Sequence, residues 1–583
     1  MIRFSAILFL IPVLAGWCFA QPNIVVFLSD DQGWGDLSSS GNQDLATPRI
    51  DSLAQQGVSF DRFYVCPVCS PTRAEFLTGR HHARGGVYST SAGGERLDLD
   101  ETILPEILKA AGYRTGAFGK WHNGMQGPYH PSARGFDEFY GFCSGHWGHY
   151  FDPMLDHNGR IVKGEGFCID DFTKRAINFI EGSVKAGKPF FAYLPYNTPH
   201  SPMQVPDRFW ERFKDRQLKS TAPGREVTDH QRCALAMCEN LDWNVGRLLD
   251  QLDRLGVADD TIVVWFHDNG PNGFRWNGGM KGKKGSTNEG GVRSPLYVRW
   301  PASIKAGTRV PQIASARDLL PTLCELAGLD ERSEKPLDGR SLAPLIRDPE
   351  TAWPERILIQ QWQNKVSARS QRFRLDAQGK LFDMVEDPGQ SQPVNKQHPE
   401  VLARLGEAAE KHRREFLPGY RDDDRPFILT HPDLAITQLP ARDAQATGGL
   451  KRSSIHPNCS YYLNWKDTGD ALHWAGRVEA PGRYRATVWY AAREAGARMA
   501  LRFKDESLEF TIAEAHDPPE VGKAEDHAPR SESYVKDFKP LVAGTLELSA
   551  GDGELRLEAL EIPGGEALEF RLLTLERLDP AER

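Results

Sequence analysis

The chain has 583 residues, of which 40% are hydrophobic, so it can build a large core and more than one domain. Its formal net charge is −8. Proteins that bind nucleic acids attract phosphate through an excess of Lys and Arg, so we expect no nucleic-acid partner.

The first twenty residues predict a secretory signal peptide. Arg3 precedes an apolar run over residues 4–15, and Ala20 stands at the expected cleavage site. A membrane anchor is the alternative, but the run is short and polar residues follow it at once. We expect export to the periplasm or the extracellular space. No other stretch is apolar enough to cross a bilayer, so we expect no integral membrane segment after signal removal.

Cysteine usage leaves the pairing of thiols open. Nine cysteines are present. Without Cys18 of the signal segment and Cys69, which is discussed below, an odd number remains, so at least one thiol stays free unless chains pair with each other. A Cys143–Cys168 bridge is one possibility. Asn458 begins a formal glycosylation sequon.

Four apolar segments predict strands that are buried on both faces, as in a parallel sheet. They cover residues 23–28, 113–118, 189–194 and 261–266. Stretches with helical character lie between them, at residues 102–111 and before Gly256. Open α/β sheets bind ligands at the carboxyl ends of their strands, so polar residues that follow these strands should converge there.

Two of these strand ends carry oxygen ligands. Asp30 and Asp31 follow the first strand, and Asp268 and Asn269 follow the last. Buried carboxylates are costly without a cation. An oxygen-only set suits Ca²⁺, with Mg²⁺ also possible, and suits Zn²⁺ poorly. A helix N-cap at the first pair and a turn at the second are the alternatives.

Residues 69–80, with the sequence Cys-Ser-Pro-Thr-Arg-Ala-Glu-Phe-Leu-Thr-Gly-Arg, form the most specific motif. Pro71 favours a turn that opens a helix, whose free N–H groups and positive potential attract an anion. Arg73 adds a guanidinium fork suited to tetrahedral oxyanions. Cys66 and Cys69 also have the C-x-x-C spacing of a redox pair or half a zinc site, but no second C-x-x-C follows.

This motif resembles the signature of the type I sulfatases, C-x-P-S/T-R followed by T-G-R. The similarity runs over about residues 21–420 and includes G-K-W-H at 119–122. His200 lies in another similar segment, and residues 281–295 resemble K-G-x-x-x-E-G-G-x-R, with Lys284 at the sulfate-binding lysine. Residues 267–271 resemble S-D-N-G-P, but His267 replaces the common serine and receives no catalytic role.

The resemblance implies hydrolysis of sulfate esters with a divalent metal. It also implies that a formylglycine-generating maturation enzyme oxidises Cys69 to 3-oxoalanine (formylglycine), the precursor of the nucleophile. The implied catalytic residues are Cys69, Arg73, Lys120, His122, His200 and Lys284. The implied metal ligands, most simply for Ca²⁺, are Asp30, Asp31, Asp268 and Asn269.

Neighbouring residues favour a sulfated saccharide or another sulfated small molecule as substrate. Cations could hold a second anionic group, and Trp276 could stack on a sugar ring. The expected substrate-binding residues are Lys284, His200, Lys120, Lys281, Lys283, Arg275, Trp276 and His146. Solvated lysines and a packed aromatic loop are the alternatives for the outer members.

The expected fold is α/β, with a mixed, largely parallel sheet sandwiched by helices, as in alkaline phosphatases and sulfatases. We expect a signal peptide at 1–20, a catalytic domain at 21–345, a small α+β C-terminal subdomain at 346–420 and a β-sandwich at 440–583. Alternation around Tyr484 and Val488 indicates strands in the last region. It resembles carbohydrate-binding modules only in pattern, so a structural or oligomerisation module is equally consistent.

Two other functions stay open from the sequence. The same superfamily fold hosts phosphomonoester and phosphonate ester hydrolases, and a fold does not determine the reaction. If Cys69 is never modified, the chain could instead be an inactive sulfoglycan-binding protein.

Overall fold

The computed structural model describes residues 21–578 apart from 221, 223, 226, 332 and 422. The predicted signal peptide at 1–20 lies outside the described residues. The described chain contains one large mixed sheet flanked by helices, a small four-stranded sheet and a C-terminal pair of six-stranded sheets. The predicted α/β fold with an appended β-rich region is confirmed.

The large sheet contains eleven strands within the described residues. Its central strands are mutually parallel, whereas both edges include antiparallel pairs. The strands are β1 (Asn23–Ser29), β2 (Val58–Tyr64), β3 (Arg114–Lys120), β4 (Glu138–Phe142), β5 (Met154–His157), β6 (Arg160–Lys163), β7 (Phe190–Pro195), β8 (Thr261–His267), β9 (Arg293–Ser294), β10 (Leu296–Arg299) and β11 (Thr308–Ser315).

Helices cover both faces of this sheet because its central strands are apolar on both sides. In β1, Ile24 and Val26 join one hydrophobic core, whereas Val25 and Phe27 join the other. The helices are α1 (Pro48–Gln56), α2 (Cys69–Thr78), α3 (Leu104–Ala110), α4 (Cys168–Lys185), α5 (Asp207–Trp210), α6 (Thr228–Arg254), α7 (Glu289–Val292), α8 (Leu319–Leu326), α9 (Ala343–Arg347) and α10 (Pro399–Phe416).

The small sheet forms the predicted C-terminal subdomain together with α10. Its antiparallel strands are β12 (Leu358–Trp362), β13 (Lys365–Arg369), β14 (Phe373–Leu375) and β15 (Leu381–Asp383). Val366 of β13 and Leu405 of α10 belong to the core that joins the helix to the sheet.

The C-terminal sheets pack face to face as a β-sandwich. Trp474 of one sheet meets Phe570 of the other with ring centroids 5.6 Å apart, inside one shared core. The strands are β16 (Phe427–Thr430), β17 (Ile436–Pro440), β18 (Gln445–Thr447), β19 (Lys451–Arg452), β20 (Tyr462–Leu463), β21 (Ala471–Val478), β22 (Gly482–Ala491), β23 (Arg498–Phe503), β24 (Glu506–Thr511), β25 (Glu520–Val521), β26 (Val535–Lys536), β27 (Lys539–Leu548), β28 (Gly551–Glu561) and β29 (Glu569–Arg577). The separate pair β25–β26 lies beside them.

The β-sandwich begins before the predicted boundary at residue 440. Strand β16 begins at Phe427 and pairs in parallel with β21, so the sandwich starts at least thirteen residues earlier, counting from 427 to 440. This strand is short and follows a charged segment, and therefore gives little strand periodicity to detect.

The eight cysteines within the described residues are free and buried. The possible Cys143–Cys168 bridge is not formed, and the thiol of Cys168 instead lies 3.6 Å from the side-chain oxygen of Asn197. No helix in the described part of the chain is both long and apolar enough to cross a bilayer.

A buried ion cluster attaches the subdomain to the main sheet. Glu289 accepts hydrogen bonds from Tyr64 Oη at 3.0 Å and Arg293 Nη1 at 2.7 Å, and pairs with Arg369 of β13. Burial alone would raise the pKa of Glu289, but Arg369, Arg293 and Arg374 together lower it to about 2. The cluster anchors the loop that carries Lys284.

We predict that Glu289→Gln lowers the free energy of unfolding at pH 7 by about 3–5 kcal/mol, because it leaves buried arginines uncompensated. The native pKa is below the ordinary value of 4.5, so the unfolded chain binds the proton first on acidification. The wild-type advantage should therefore be complete above pH 4.5 and shrink by about 1.4 kcal/mol per pH unit below it.

Urea unfolding at pH 7 and at a pH below 4.5 measures this difference. Glu165→Gln is the matched control, because Glu165 pairs with Lys174 on the exposed surface and its loss should not move the unfolding midpoint. A Glu289→Gln protein as stable as the wild type at pH 7 would show that the cluster does not stabilise this junction.

Candidate active site

Four parallel strands deliver the predicted site residues to one edge of the main sheet. Asp30 follows β1, Lys120 ends β3, His200 follows β7 and Asp268 follows β8. All of them are buried. Asp31 and His122 have positive φ angles of 62° and 66°, a backbone conformation that is uncommon for such residues and recurs at functional sites.

Cys69 is the first residue of α2, so it sits where backbone N–H groups have no helical partner. Thr72 holds this turn in place. Its hydroxyl accepts from Cys66 N at 2.9 Å and donates to the Asp268 carbonyl at 2.6 Å. Pro71 is the third helical residue, a position in the first turn where its missing N–H costs nothing.

The unmodified thiol of Cys69 is poorly suited to act as a nucleophile itself. Burial raises its pKa, outweighing the opposing effect of Lys120 and Lys284. Cys66 belongs to a different cluster, with Glu75 and His82, whereas Cys69 lies with Asp30 and Asp268. The two cysteines therefore form neither a disulfide nor one shared group of metal-binding side chains.

Asp30, Asp31, Asp268 and Asn269 come together beside Cys69. The backbone N–H of Asp31 donates to Asp268 Oδ1 at 3.1 Å, and Asn269 Nδ2 donates to Asp31 Oδ1 at 2.9 Å. Asp30 Oδ1 and Asn269 Oδ1 are buried acceptors without a hydrogen-bond partner among the described residues. Unsatisfied acceptors in an acidic cluster fit a hard cation.

The carboxylates differ strongly in charge environment. Burial would raise the pKa of Asp30, but Lys120, His200 and Arg73 outweigh it and hold the pKa far below the ordinary range. Burial together with the Asp30 charge raises the pKa of Asp268 to about 8 despite Arg73. The protein cations alone therefore leave one carboxylate poorly compensated, as expected for a site that holds a further positive charge.

Two buried cations, Arg73 and Lys120, and the partly buried Lys284 surround the same point. Lys120 Nζ lies 2.5 Å from Asp30 Oδ2, and Arg73 Nη2 lies 3.0 Å from Asp268 Oδ2. Lys284 Nζ lies 2.6 Å from Asp31 Oδ1, and Asp31 raises the pKa of this lysine against the effect of burial. Lys284 therefore carries its proton at neutral pH.

The histidines are held in defined tautomers. A backbone carbonyl only accepts, so His122 Nε2–H donates to Thr90 O at 2.9 Å and its buried Nδ1 is left unprotonated, without a partner among the described residues. Burial lowers the pKa of His122. His200 Nδ1 donates to Ser201 O at 2.9 Å, and its ring stacks on His146 with centroids 5.9 Å apart.

The predicted outer residues lie in different places. Arg275 is buried behind the acidic cluster, where Nη2 donates to Asp36 Oδ2 and to Asp31 O, both at 2.8 Å. The structure therefore gives Arg275 a supporting position, not an exposed one. Trp276, Lys281 and Lys283 instead line a cavity of about 520 Å³ beside the Lys284 loop.

A set of residues from the β-sandwich also reaches this region and was not predicted from the sequence. Arg442 Nη2 donates to Glu95 Oε1 at 2.6 Å, and its Nη1 donates to Asn458 Oδ1 at 2.8 Å. Asn458 Nδ2 then donates to Thr90 O at 3.5 Å, the carbonyl that orients His122. Only the sequon was visible at Asn458, and sequence does not show that this asparagine is buried against the catalytic domain.

Comparisons with known proteins agree with this geometry. The family model described as Sulfatase matches residues 22–329, more than half of the chain. The chain belongs to the sulfatase family. A second model, described as N-sulphoglucosamine sulphohydrolase, C-terminal, matches residues 283–414. The chain is accordingly a sulfuric ester hydrolase, and the resemblance of its motifs to sulfatases is confirmed.

Individual relatives cover the catalytic region of this sulfatase. N-acetylgalactosamine-6-sulfatase of Mus musculus is 34% identical over 369 residues, which span 57% of this chain and 68% of the relative. The crystal structure of Ps i-CgsB in complex with k-i-k-neocarrahexaose is 30% identical, with a TM-score of 0.62, and the match covers 68% of this chain and 94% of that one. A phosphonate monoester hydrolase of Agrobacterium radiobacter, 22% identical with a TM-score of 0.53 over 68% of this chain and 96% of that one, shares the fold.

We predict that Asn458→Ala lowers kcat on an aryl sulfate about tenfold while KM changes less, because it releases the Thr90 carbonyl that orients His122. Asn458→Asp should lose the same activity. It keeps an acceptor for Arg442 but cannot donate to Thr90.

Steady-state kinetics with melting temperatures would separate positioning from folding. Ile455→Ala is the control, because Ile455 lies in the same loop and is 89% exposed. An Asn458→Asp protein with wild-type kcat would rule out the link from the sandwich to His122.

Proposed function

We propose that this sulfatase hydrolyses sulfate esters of carbohydrates with a formylglycine made from Cys69 and a hard divalent cation, most simply Ca²⁺. The observation that carries the proposal is the shared position of Cys69, four oxygen-bearing metal-ligand candidates and three paired cations at the helix α2 N-terminus. This constellation offers a place for a sulfate group next to the nucleophile position.

Formylglycine would supply a hydrated aldehyde as the nucleophile. The unmodified Cys69 thiol is a poor nucleophile because burial raises its pKa. A maturation enzyme would have to act before this region is buried. A cation held by Asp30, Asp31, Asp268 and Asn269 would polarise sulfate oxygens as a Lewis acid.

The chain's own residues have separable parts in this reaction. Arg73 and Lys120 hold positive charge at fixed positions beside residue 69. Lys284, which is protonated, can neutralise or protonate a departing alcohol oxygen, whereas His200 is mostly neutral because burial and Lys284 lower its pKa. His122 Nδ1 is free to accept a proton from the group at position 69.

A saccharide substrate is supported by the relatives and by the pocket surroundings. The mouse relative is named for N-acetylgalactosamine 6-sulfate chemistry, and the crystal structure at 30% identity contains a carrahexaose. In this chain, Lys283 Nζ lies 4.7 Å from the centre of the Phe274 ring in the cavity that also holds Trp276. Cations beside an aromatic wall suit a sulfated sugar.

We predict that Ca²⁺ raises the melting temperature and that chelation lowers both this temperature and activity, because the ion binds the folded state only. Asp268→Ala should abolish the Ca²⁺ response. Scanning calorimetry of chelated protein, after addition of Ca²⁺, Mg²⁺ or Zn²⁺, measures the melting temperature. Asp433→Ala, at an exposed position, is the control and should keep the Ca²⁺ response. Stoichiometric zinc, or full activity after chelation, would exclude this cofactor assignment.

We predict higher kcat/KM on N-acetylgalactosamine 6-sulfate or a sulfated carrageenan oligosaccharide than on 4-nitrophenyl sulfate. Lys281→Ala and Lys283→Ala should lower kcat/KM on the preferred saccharide about three- to tenfold and leave the aryl sulfate rate unchanged. Lys305→Ala is the exposed control. A preference for the aryl sulfate, with neither cavity lysine mattering, would contradict a saccharide role.

A further inference from the structure

A second cavity lies where the catalytic domain meets the β-sandwich. This junction cavity has a volume of about 440 Å³, within the range of small-molecule sites. Trp147 and Lys163 line it from the catalytic domain, and Trp489, Phe538 and Arg571 line it from the sandwich. None of the proposed catalytic residues or metal ligands lines it.

Arg571 lacks the carboxylate partner that most buried arginines of the described chain have. It is 4% exposed, yet no carboxylate lies within ion-pair distance of it in the described chain, and its one assigned hydrogen bond runs from Nη1 to Ser460 O at 3.2 Å. Arg73, Arg275, Arg369 and Arg442 are buried as deeply and each has a carboxylate partner. Burial and the nearby Arg442 lower the pKa of Arg571.

A buried guanidinium that has no carboxylate partner and lies beside a cavity is expected to bind an anion. Burying a charge without a partner is costly, and an oxyanion accepts two parallel hydrogen bonds from the guanidinium fork. The guanidinium carbon of Arg571 lies 5.6 Å from the centre of the Trp147 ring, so the cation already rests on an aromatic face.

The rest of the cavity suits a sugar ring more than a free ion. Trp489 is only partly buried and packs with Phe538, which gives an aromatic wall of the kind on which sugar rings stack. The exposed carboxylates Asp152, Glu525 and Asp537 line the same cavity. They can accept hydrogen bonds from sugar hydroxyls, and water screens their repulsion of an anion.

We propose that the junction cavity binds a sulfated sugar unit of a polymeric substrate, with its sulfate on Arg571 and its ring against Trp489. This inference rests on the proposed saccharide specificity. Trp147 directly follows His146, whose ring stacks on catalytic His200, so the two sites are joined by one loop. The sandwich would then hold a glycan chain beside the site that removes its sulfate groups.

The test is calorimetric binding of sulfated hexasaccharides to the full chain carrying Cys69→Ala, which binds without turnover. The probes are a chondroitin 6-sulfate hexasaccharide and an ι-carrageenan hexasaccharide, each beside its desulfated form. We expect Arg571→Met and Trp489→Ala each to weaken the better sulfated probe about tenfold. Arg571→Lys should retain part of the affinity, and the desulfated probes should bind weakly to every variant.

Arg483→Ala, which removes an exposed arginine of the same domain, should leave binding unchanged. With Cys69 restored, Arg571→Met should hydrolyse 4-nitrophenyl sulfate within about twofold of wild type, because it lies outside the catalytic cluster. If the protein with Cys69 hydrolyses no sulfate ester at all, the proposed function is wrong. The binding result does not depend on hydrolysis and would still test the junction cavity. Unchanged binding by both Arg571→Met and Trp489→Ala would overturn the junction site, as would a lower melting temperature of Arg571→Met with unchanged binding.

Discussion

Burial of opposite charges at one edge of the main sheet is the constraint on which the rest of the site depends. Asp30, Asp31 and Asp268 are inaccessible to solvent there, and Arg73 and Lys120 share that burial. Removing so many charges from water is costly unless each is paired with good geometry. The parallel strands meet this requirement because their carboxyl ends bring distant segments of the chain to one point.

The same arrangement explains why a sulfate group suits the site. The paired lysines and arginine are fixed by the carboxylates before substrate arrives, so little reorganisation is needed when the transferring group develops charge. Asp30 Oδ1 and Asn269 Oδ1, which have no hydrogen-bond partner among the described residues, can ligate one more cation in the same cluster. Burial favours the neutral forms of His122 and His200, and backbone carbonyls determine which ring nitrogen of each holds the proton.

The β-sandwich contacts loops that carry or orient candidate active-site residues. Arg442 and Asn458 reach the loop that carries Thr90, and the thiol of Cys459 donates to the backbone carbonyl of His146 at 3.0 Å. Gly145 shows how tight this junction is, because a Cβ there would lie 2.5 Å from Asn458 Nδ2 and 2.6 Å from His122 Nε2.

Local patterns were enough to predict the main sheet and the residues at its strand ends, because apolar strands followed by Asp30 or Asp268 leave a strong signal. They also predicted helical structure before Gly256, where the structure has α6 over Thr228–Arg254. Sequence could not show that Arg275 turns inward to Asp36, since an arginine beside a tryptophan in a loop looks equally suited to a pocket rim. It also could not reveal the contact of Arg442 with Glu95, which lies 347 residues away in the chain.

The proposed conversion of Cys69 to formylglycine is tested most directly by the mass of the tryptic peptide 63–73 from active protein, measured together with specific activity. This peptide contains Cys66 as well as Cys69, so Cys66 serves as an internal control that should still react with a thiol reagent. We expect activity to rise in proportion to the fraction of peptide in which the Cys69 thiol is replaced by an aldehyde. Co-expression with a formylglycine-generating enzyme should raise both. Full activity from protein whose Cys69 is entirely an unmodified thiol would contradict this expectation.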